Sequence, residues 1–184
     1  MMFPVVIDLR NKRVVVVGAG KIGVHKMKQL LEAGASVVVI SDQVLEELPQ
    51  GIASFSQRKY QRGDLEGAFM VVTATGDARV NDEIVAEANE RNILLNSVDD
   101  LERCNFYFTA THRDGDLVVS VSSQGASPAL AQWVRNKIVS ALPKNLAQVA
   151  ATLRRERSEL HAQGQSTENL PWMQRVNELI AQDN

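Results

Sequence analysis

Four short runs of aliphatic, mostly β-branched residues pace the first hundred positions of the chain. They are Arg13–Val17, Ser36–Ile40, Phe69–Thr73 and Asn92–Asn96. Each is apolar almost throughout rather than alternating, as in strands buried on both faces of a parallel sheet. Between the first two, Val24, Met27, Leu30 and Leu31 recur at helical spacing, and the pattern stops at Gly34. Between the last two, Val80, Ile84, Val85 and Ala88 do the same. Strands alternating with helices predict an α/β domain with a doubly wound, Rossmann-type parallel sheet. The stretch from Leu45 to Asp64 is weaker and predicts a short helix and an edge strand around Ile52–Phe55.

The pattern changes after Asp99. Phe106–Thr111 and Leu117–Ser122 read as two strands joined through Arg113-Asp114-Gly115-Asp116, a hairpin signal. Ser127-Pro128 then supplies an N-cap and a proline for the first helical position. Leu130, Trp133, Val134, Ile138 and Leu142 form one apolar stripe that ends at Pro143, and Trp133 belongs to a core or an interface. From Leu146 onward the pattern is helical, interrupted at Gly164-Gln165-Ser166 and restarting near Pro171. Three segments are therefore expected: residues 1–111 as the Rossmann domain, 112–145 as a hairpin-helix module, and 146–184 as a small helical C-terminal region.

Composition narrows the function classes. A chain of 184 residues that is 45% hydrophobic can build one domain of this size with an appendage. A formal net charge of -2 argues against general attraction to nucleic acid or to an anionic membrane. One cysteine, Cys104, cannot form an intramolecular disulfide, and no G-x-C or C-x-x-C context marks it as a nucleophile. No signal-peptide core and no apolar run near the roughly 20 residues of a membrane helix are visible. A cytoplasmic protein that engages neither membrane nor nucleic acid is expected.

Gly18-Ala19-Gly20-Lys21-Ile22-Gly23 is a G-x-G-x-x-G between a valine strand and an amphipathic helix. In that context Gly18 permits a tight turn, Gly20 lets backbone approach a pyrophosphate, and Gly23 lets helix and strand pack closely. The helix start, with the N–H groups of Lys21 and Ile22, adds partial positive charge. The second strand is expected to end at Ser41-Asp42, just before Gln43, where a carboxylate would take the adenosine ribose hydroxyls and repel a 2′-phosphate. NAD is thus expected over NADP, although Asp42 as a mere helix cap stays open. Thr73-Ala74-Thr75 ends the next strand and is expected to line the same crevice. Asn96-Ser97-Val98-Asp99-Asp100 ends the following one, where a carboxylate near a nicotinamide could act as a general base. Asp99 and Asp100 could equally be solvated turn residues. Ser123, Gly125 and Ser127 around the Pro128 helix start offer an anion site suited to a substrate carboxylate, or simply a capped helix. His25, His112 and His161 are scattered, and no metal site is expected.

Several of these motifs in order resemble the precorrin-2 dehydrogenase/sirohydrochlorin ferrochelatase family. They are Pro4-Val5-Val6-Ile7-Asp8-Leu9, the glycine fingerprint with Lys26, Thr73-Ala74-Thr75-Gly76-Asp77 with Asn81, Asn96-Ser97-Val98-Asp99-Asp100, Phe106, and Ser122-Ser123-Gln124-Gly125-Ala126-Ser127-Pro128-Ala129-Leu130-Ala131. Thr109 and Gly76 depart from the residues usual at their positions. The resemblance implies NAD-dependent oxidation of precorrin-2 to sirohydrochlorin, with Asp99 as the catalytic residue and Asn96, Ser123, Gly125 and Ser127 toward the tetrapyrrole. Ferrous iron insertion into sirohydrochlorin is a second activity of many members, and the divergent tail leaves it open here. Members are homodimers joined largely through the region corresponding to His112–Leu142, and in some the serine matching Ser123 is phosphorylated. The resemblance also implies that methylation belongs to another protein, since no methyltransferase domain follows. The competing reading is a nucleotide-sensing regulatory Rossmann module without catalysis; such a module has no need of the Asp99–Pro128 segment.

Overall fold

In the computed structural model, which describes residues 2–98 and 100–182, the chain forms two compact units, Met1–Tyr107 and Phe108–Asn184. The first is a five-stranded parallel sheet with strand order β3-β2-β1-β4-β5. Its strands are β1 (Arg13–Ala19), β2 (Ser36–Val44), β3 (Ser54–Ser56), β4 (Met70–Thr73) and β5 (Leu94–Ser97). Helix α1 (Lys21–Glu32) links β1 to β2, and α2 (Ala78–Glu90) links β4 to β5. The expected Rossmann-type α/β fold is what forms.

The valine runs explain the sheet. Val14, Val15, Val16, Val37, Val39, Val71 and Val72 are completely buried. Val15 and Val17 pack with Val71, Leu95 and with Ile84 and Ala88 of α2. Because side chains alternate along a strand, Val14 and Val16 face the opposite side, the side left for α1 with its buried Met27 and Leu30. Asp77 starts α2 by accepting hydrogen bonds from the N–H groups of Arg79 and Val80.

Between Leu45 and Asp64 no helix forms; the short helix expected there is replaced by turns around the edge strand β3. Those turns are held by side chains instead. Arg58 pairs with Asp64 through two contacts of 2.7 Å, and Glu87 of α2, fully buried, accepts from Tyr60 Oη, from Gly63 N–H at 2.8 Å and from Arg91 Nε at 2.8 Å.

The second unit contains an antiparallel hairpin, β6 (Ala110–Asp114) and β7 (Leu117–Val121), and helices α3 (Pro128–Ser140), α4 (Leu146–Ala162) and α5 (Trp172–Ala181). The hairpin strand begins at Ala110, not at Phe106, because the chain at Asn105 and Phe106 is still bonded to β5: Asn105 N–H donates to Leu95 O, and Asn96 Nδ2 donates to Phe106 O. A division after Thr111 would cut β6, so the observed one lies earlier. Residues 112–145 and 146–184 also fall in a single unit. Arg154 of α4 pairs with Asp116 at 2.8 Å, and a Cβ on Gly115 would lie 3.1 Å from Ala147 Cβ, so α4 packs on the hairpin turn. The two-residue turn Gly115-Asp116, with Gly115 at φ 57°, has the backbone that a tight hairpin requires.

The Ser127 hydroxyl caps α3 by accepting from Leu130 N–H at 3.2 Å. Within this unit the α3 stripe is not covered: Leu130, Trp133 and Ile138 are 54%, 60% and 40% exposed. Among the described residues no helix is long and apolar enough to cross a membrane.

Candidate functional site

The carboxyl ends of β1 and β4, neighbours whose connections run to opposite sides of the sheet, form the switch point where open α/β sheets bind ligands. A cleft of about 380 Å³ opens there, bounded by the Gly18–Gly20 turn, Ser41–Gln43, Arg58–Tyr60 and Ala74–Asp77. That volume is in the range of small-molecule sites.

The three glycines are distinct in their surroundings. A Cβ on Gly18 would overlap the Ala74 carbonyl group, 2.6 Å from its carbon, and Gly18 has φ 105°. A Cβ on Gly23 would overlap the Gly18 carbonyl oxygen. A Cβ on Gly20 would meet no protein atom within 4 Å. Gly18 and Gly23 are therefore glycines because protein backbone fills the space. Gly20 has open space at the mouth of the cleft, so the protein's own packing does not require glycine there. That is the cradle a pyrophosphate needs. The first backbone bond of α1 runs from Val24 N–H to Gly20 O, so the N–H groups of Lys21, Ile22 and Gly23 have no acceptor inside the helix. Lys21, Ile22 and Gly23 contribute this helix start; none of the three lines the cleft.

The acid falls in a bulge. Val17 pairs with Ile40 and Ala19 with Val44, so one residue of β1 faces three of β2, namely Ser41, Asp42 and Gln43. The strand expected to stop at Ser41-Asp42 instead continues to Val44. The Ser41 hydroxyl accepts from Ala19 N–H at 3.1 Å and donates to Gln43 O at 2.6 Å, which holds the bulge together. Asp42 is exposed and lines the cleft beside Gln43.

On the other wall, Ala74 and Thr75 line the cleft, but Thr73 does not. Thr73 is fully buried, and its hydroxyl donates to Asn81 Oδ1, which also accepts from the Thr75 hydroxyl at 2.7 Å. The Thr73 side chain thus ties β4 to α2 behind the wall. Asn96 behaves similarly: it is buried, and its amide donates to Phe106 O at 3.0 Å. Asp99 lies outside the described residues. Asp100 forms an ion pair with Arg103 at 2.8 Å.

In the second unit the Ser123 hydroxyl donates to Ser127 O at 2.9 Å and accepts from Ser127 N–H at 3.0 Å. Ser123 and Ser127 are both engaged within the turn, while Gln124 and Gly125 take positive φ to close it.

Arg58, Lys59 and Tyr60 line the cleft but lie about 40 residues downstream of the glycine turn, in a segment with no periodic pattern. Nothing in the sequence marks them. Among the described residues no group of three His, Cys, Asp or Glu side chains could hold a metal ion.

Comparison with known proteins agrees with this geometry. The family model NAD_binding_7, described as "Putative NAD(P)-binding", matches residues 5–110, and the model for the sirohaem biosynthesis protein central region matches residues 114–141. The second match overlaps, over residues 114–128, the segment that a bare nucleotide-sensing module does not need. Siroheme synthase 1 of Serratia proteamaculans (strain 568) is 36% identical over 161 residues, spanning 85% of this chain and 34% of that protein. Siroheme synthase of Buchnera aphidicola (subsp. Acyrthosiphon pisum, strain APS) is 37% identical over 151 residues, spanning 80% and 32%. The chain thus spans about a third of the length of these curated relatives. The solved structure of SirC, precorrin-2 dehydrogenase, superposes with a TM-score of 0.71 at 26% identity, covering 98% of this chain and 88% of that one.

Proposed function

The chain belongs to the NAD_binding_7 family, and from that premise we propose that it binds NAD and oxidises precorrin-2 to sirohydrochlorin. The observation that carries the proposal is the open cradle at Gly20, set at the β1/β4 switch point of a sheet that resembles a precorrin-2 dehydrogenase over nearly its whole length. The N–H groups at the start of α1 hold the pyrophosphate, and Asp42, presented by its bulge, takes the adenosine ribose hydroxyls. Ala74 and Thr75 form the opposite wall. When bound, NAD supplies the hydride acceptor. The carboxylate of Asp99 accepts the proton that the substrate loses in the same oxidation. Asn96, Ser41 and Thr73 serve by holding these groups in place: each fixes a turn or strand end with its own side chain.

Gly125, in the turn that Ser123 and Ser127 close between themselves, meets the substrate's carboxylates. The exposed Leu130, Trp133 and Ile138 of α3 pair with a second copy of the chain, which makes the working form a homodimer. The enzyme works in the cytoplasm, and ferrous iron is its second substrate where insertion occurs.

Anaerobic incubation of the protein with precorrin-2 and NAD, with and without ferrous iron, tests this reading by absorbance. NADH and sirohydrochlorin forming together support it, and a further conversion only with iron identifies the chelatase. Tight NAD binding without any change in precorrin-2 would refute the enzymatic reading.

A further inference from the structure

The cleft at the switch point has a third station beyond the glycine turn and Asp42. The carboxyl ends of β1, β2 and β3 lie side by side in that order. The Gly18–Gly20 turn closes β1, Asp42 sits in the bulge of β2, and Arg58 follows β3. A nucleotide laid outward from its phosphate has the same order of parts: phosphate, ribose, base. Arg58 is fixed at its station. Its N–H donates to Ser56 O at 3.0 Å. Its two terminal nitrogens donate to the Asp64 carboxylate oxygens at 2.7 Å each and to Lys59 O at 3.0 Å. Asp64 is fixed in turn: its carboxylate accepts from Gln61 N–H at 2.8 Å, and its carbonyl from Arg13 Nη2 at 3.2 Å. Both ends of the guanidinium thus meet protein acceptors, yet the Arg58 side chain is 39% exposed and lines the cleft. A guanidinium with its ends engaged offers a ligand its flat face, and such faces stack on aromatic rings. Leu45, just past the bulge, lines the same cleft and is 72% exposed, an apolar surface that a flat ring would cover.

We propose that Arg58 is the platform for the adenine ring of NAD: its guanidinium face, held by Asp64, stacks on the base beyond the ribose that Asp42 takes. This rests on the reading of the cleft as the NAD site. Because the Asp64 carboxylate and Lys59 O occupy the ends of the guanidinium, Arg58 does not serve as a phosphate ligand, in keeping with a ribose station that carries a carboxylate. A platform fixed before the ligand arrives loses little side-chain freedom on binding.

The test uses the whole chain as the parent, Arg58→Ala and Arg58→Lys. Calorimetric titration gives Kd for NAD and for ADP-ribose, which carries the adenine without the nicotinamide. Anaerobic kinetics with precorrin-2 give KM for NAD and kcat. Arg58→Ala should weaken both ligands alike, by about tenfold, and the loss should appear in KM for NAD and not in kcat. Arg58→Lys keeps a cation beside Asp64 but no plane. It should bind both ligands more nearly like the alanine variant than like the parent, and it carries the test if the alanine variant does not fold. A parent-like Kd in Arg58→Ala, a lysine variant closer to the parent, a loss for NAD that ADP-ribose does not share, or a loss carried by kcat would overturn the proposal. A parent that binds neither NAD nor ADP-ribose would instead remove the reading of the cleft on which it rests.

Discussion

Substituting the second and third glycines of the fingerprint separates ligand space from packing space. Gly20→Ala places a methyl group where no protein atom lies within 4 Å. The backbone there, φ -82° and ψ 179°, is one that alanine adopts without strain. Alanine is a poorer N-cap than glycine, but it also lowers the entropy of the unfolded chain by about 0.4–1 kcal/mol, so the two effects nearly cancel. The melting temperature should barely move. NAD binding should suffer, because the methyl group occupies the space the pyrophosphate needs; overpacking of this kind costs about 1–3 kcal/mol, or about a 5- to 150-fold weaker Kd. Gly23→Ala is the reverse case. Its methyl group would overlap the Gly18 carbonyl oxygen, which is backbone and cannot swing aside. Alanine's helix propensity returns about 1 kcal/mol of a strain near 2–3 kcal/mol. The net loss of about 1–2 kcal/mol should lower the melting temperature by roughly 2–8 °C. Differential scanning calorimetry and an NAD titration of both variants check this. A Gly20→Ala protein that binds NAD like the parent would refute the placement of the pyrophosphate at that cradle.

Three further outcomes follow from the same geometry. NAD should be used better than NADP, and Asp42→Ala should narrow the gap in kcat/KM; equal use of NADP by the parent would remove Asp42 from that role. Sedimentation at micromolar concentration should show a dimer, and Trp133→Glu, at a position 60% exposed within its unit, should shift it to monomer; a monomeric parent would contradict the α3 interface. Glu87 is pushed up by burial, but its hydrogen bonds from Tyr60, Gly63 and Arg91 outweigh that and hold its carboxyl below the ordinary 4.5. A depressed carboxylate stabilises the fold above its unfolded pKa and loses that contribution as pH falls through the folded value. The urea midpoint should therefore drop below pH 4.5 and drop less steeply in Glu87→Gln; identical pH profiles would contradict it.

The sheet was legible because its strands are apolar on both faces, so runs such as Val14–Val17 are visible without any pairing information. The glycine turn was legible because its local context is a strand followed by a helix. The segment around β3 was not: Arg58, Asp64, Tyr60 and Gly63 hold it through partners that include Glu87, far along the chain, and no local periodicity reports such bonds. The sequence marks polar residues at the strand ends but not the direction of their side chains. Ser41 lines the cleft and Thr73 does not, and the hydroxyls of both turn to protein partners, Ala19 and Asn81, which only the three-dimensional arrangement decides. The hairpin start moved from Phe106 to Ala110 for a similar reason, since Phe106 looks strand-like but is bonded, with Asn105, to β5.

The most direct test of the central claim is NAD reduction followed in step with sirohydrochlorin formation, under anaerobic conditions, for the parent protein and for Asp99→Ala. In the parent the two products should appear in equal amounts. In Asp99→Ala, turnover should fall by about 10²–10⁴-fold, the contribution of a positioned base, while NAD affinity stays unchanged. Asp99→Ala turning over at the parent rate, or sirohydrochlorin forming without NADH, would contradict the account.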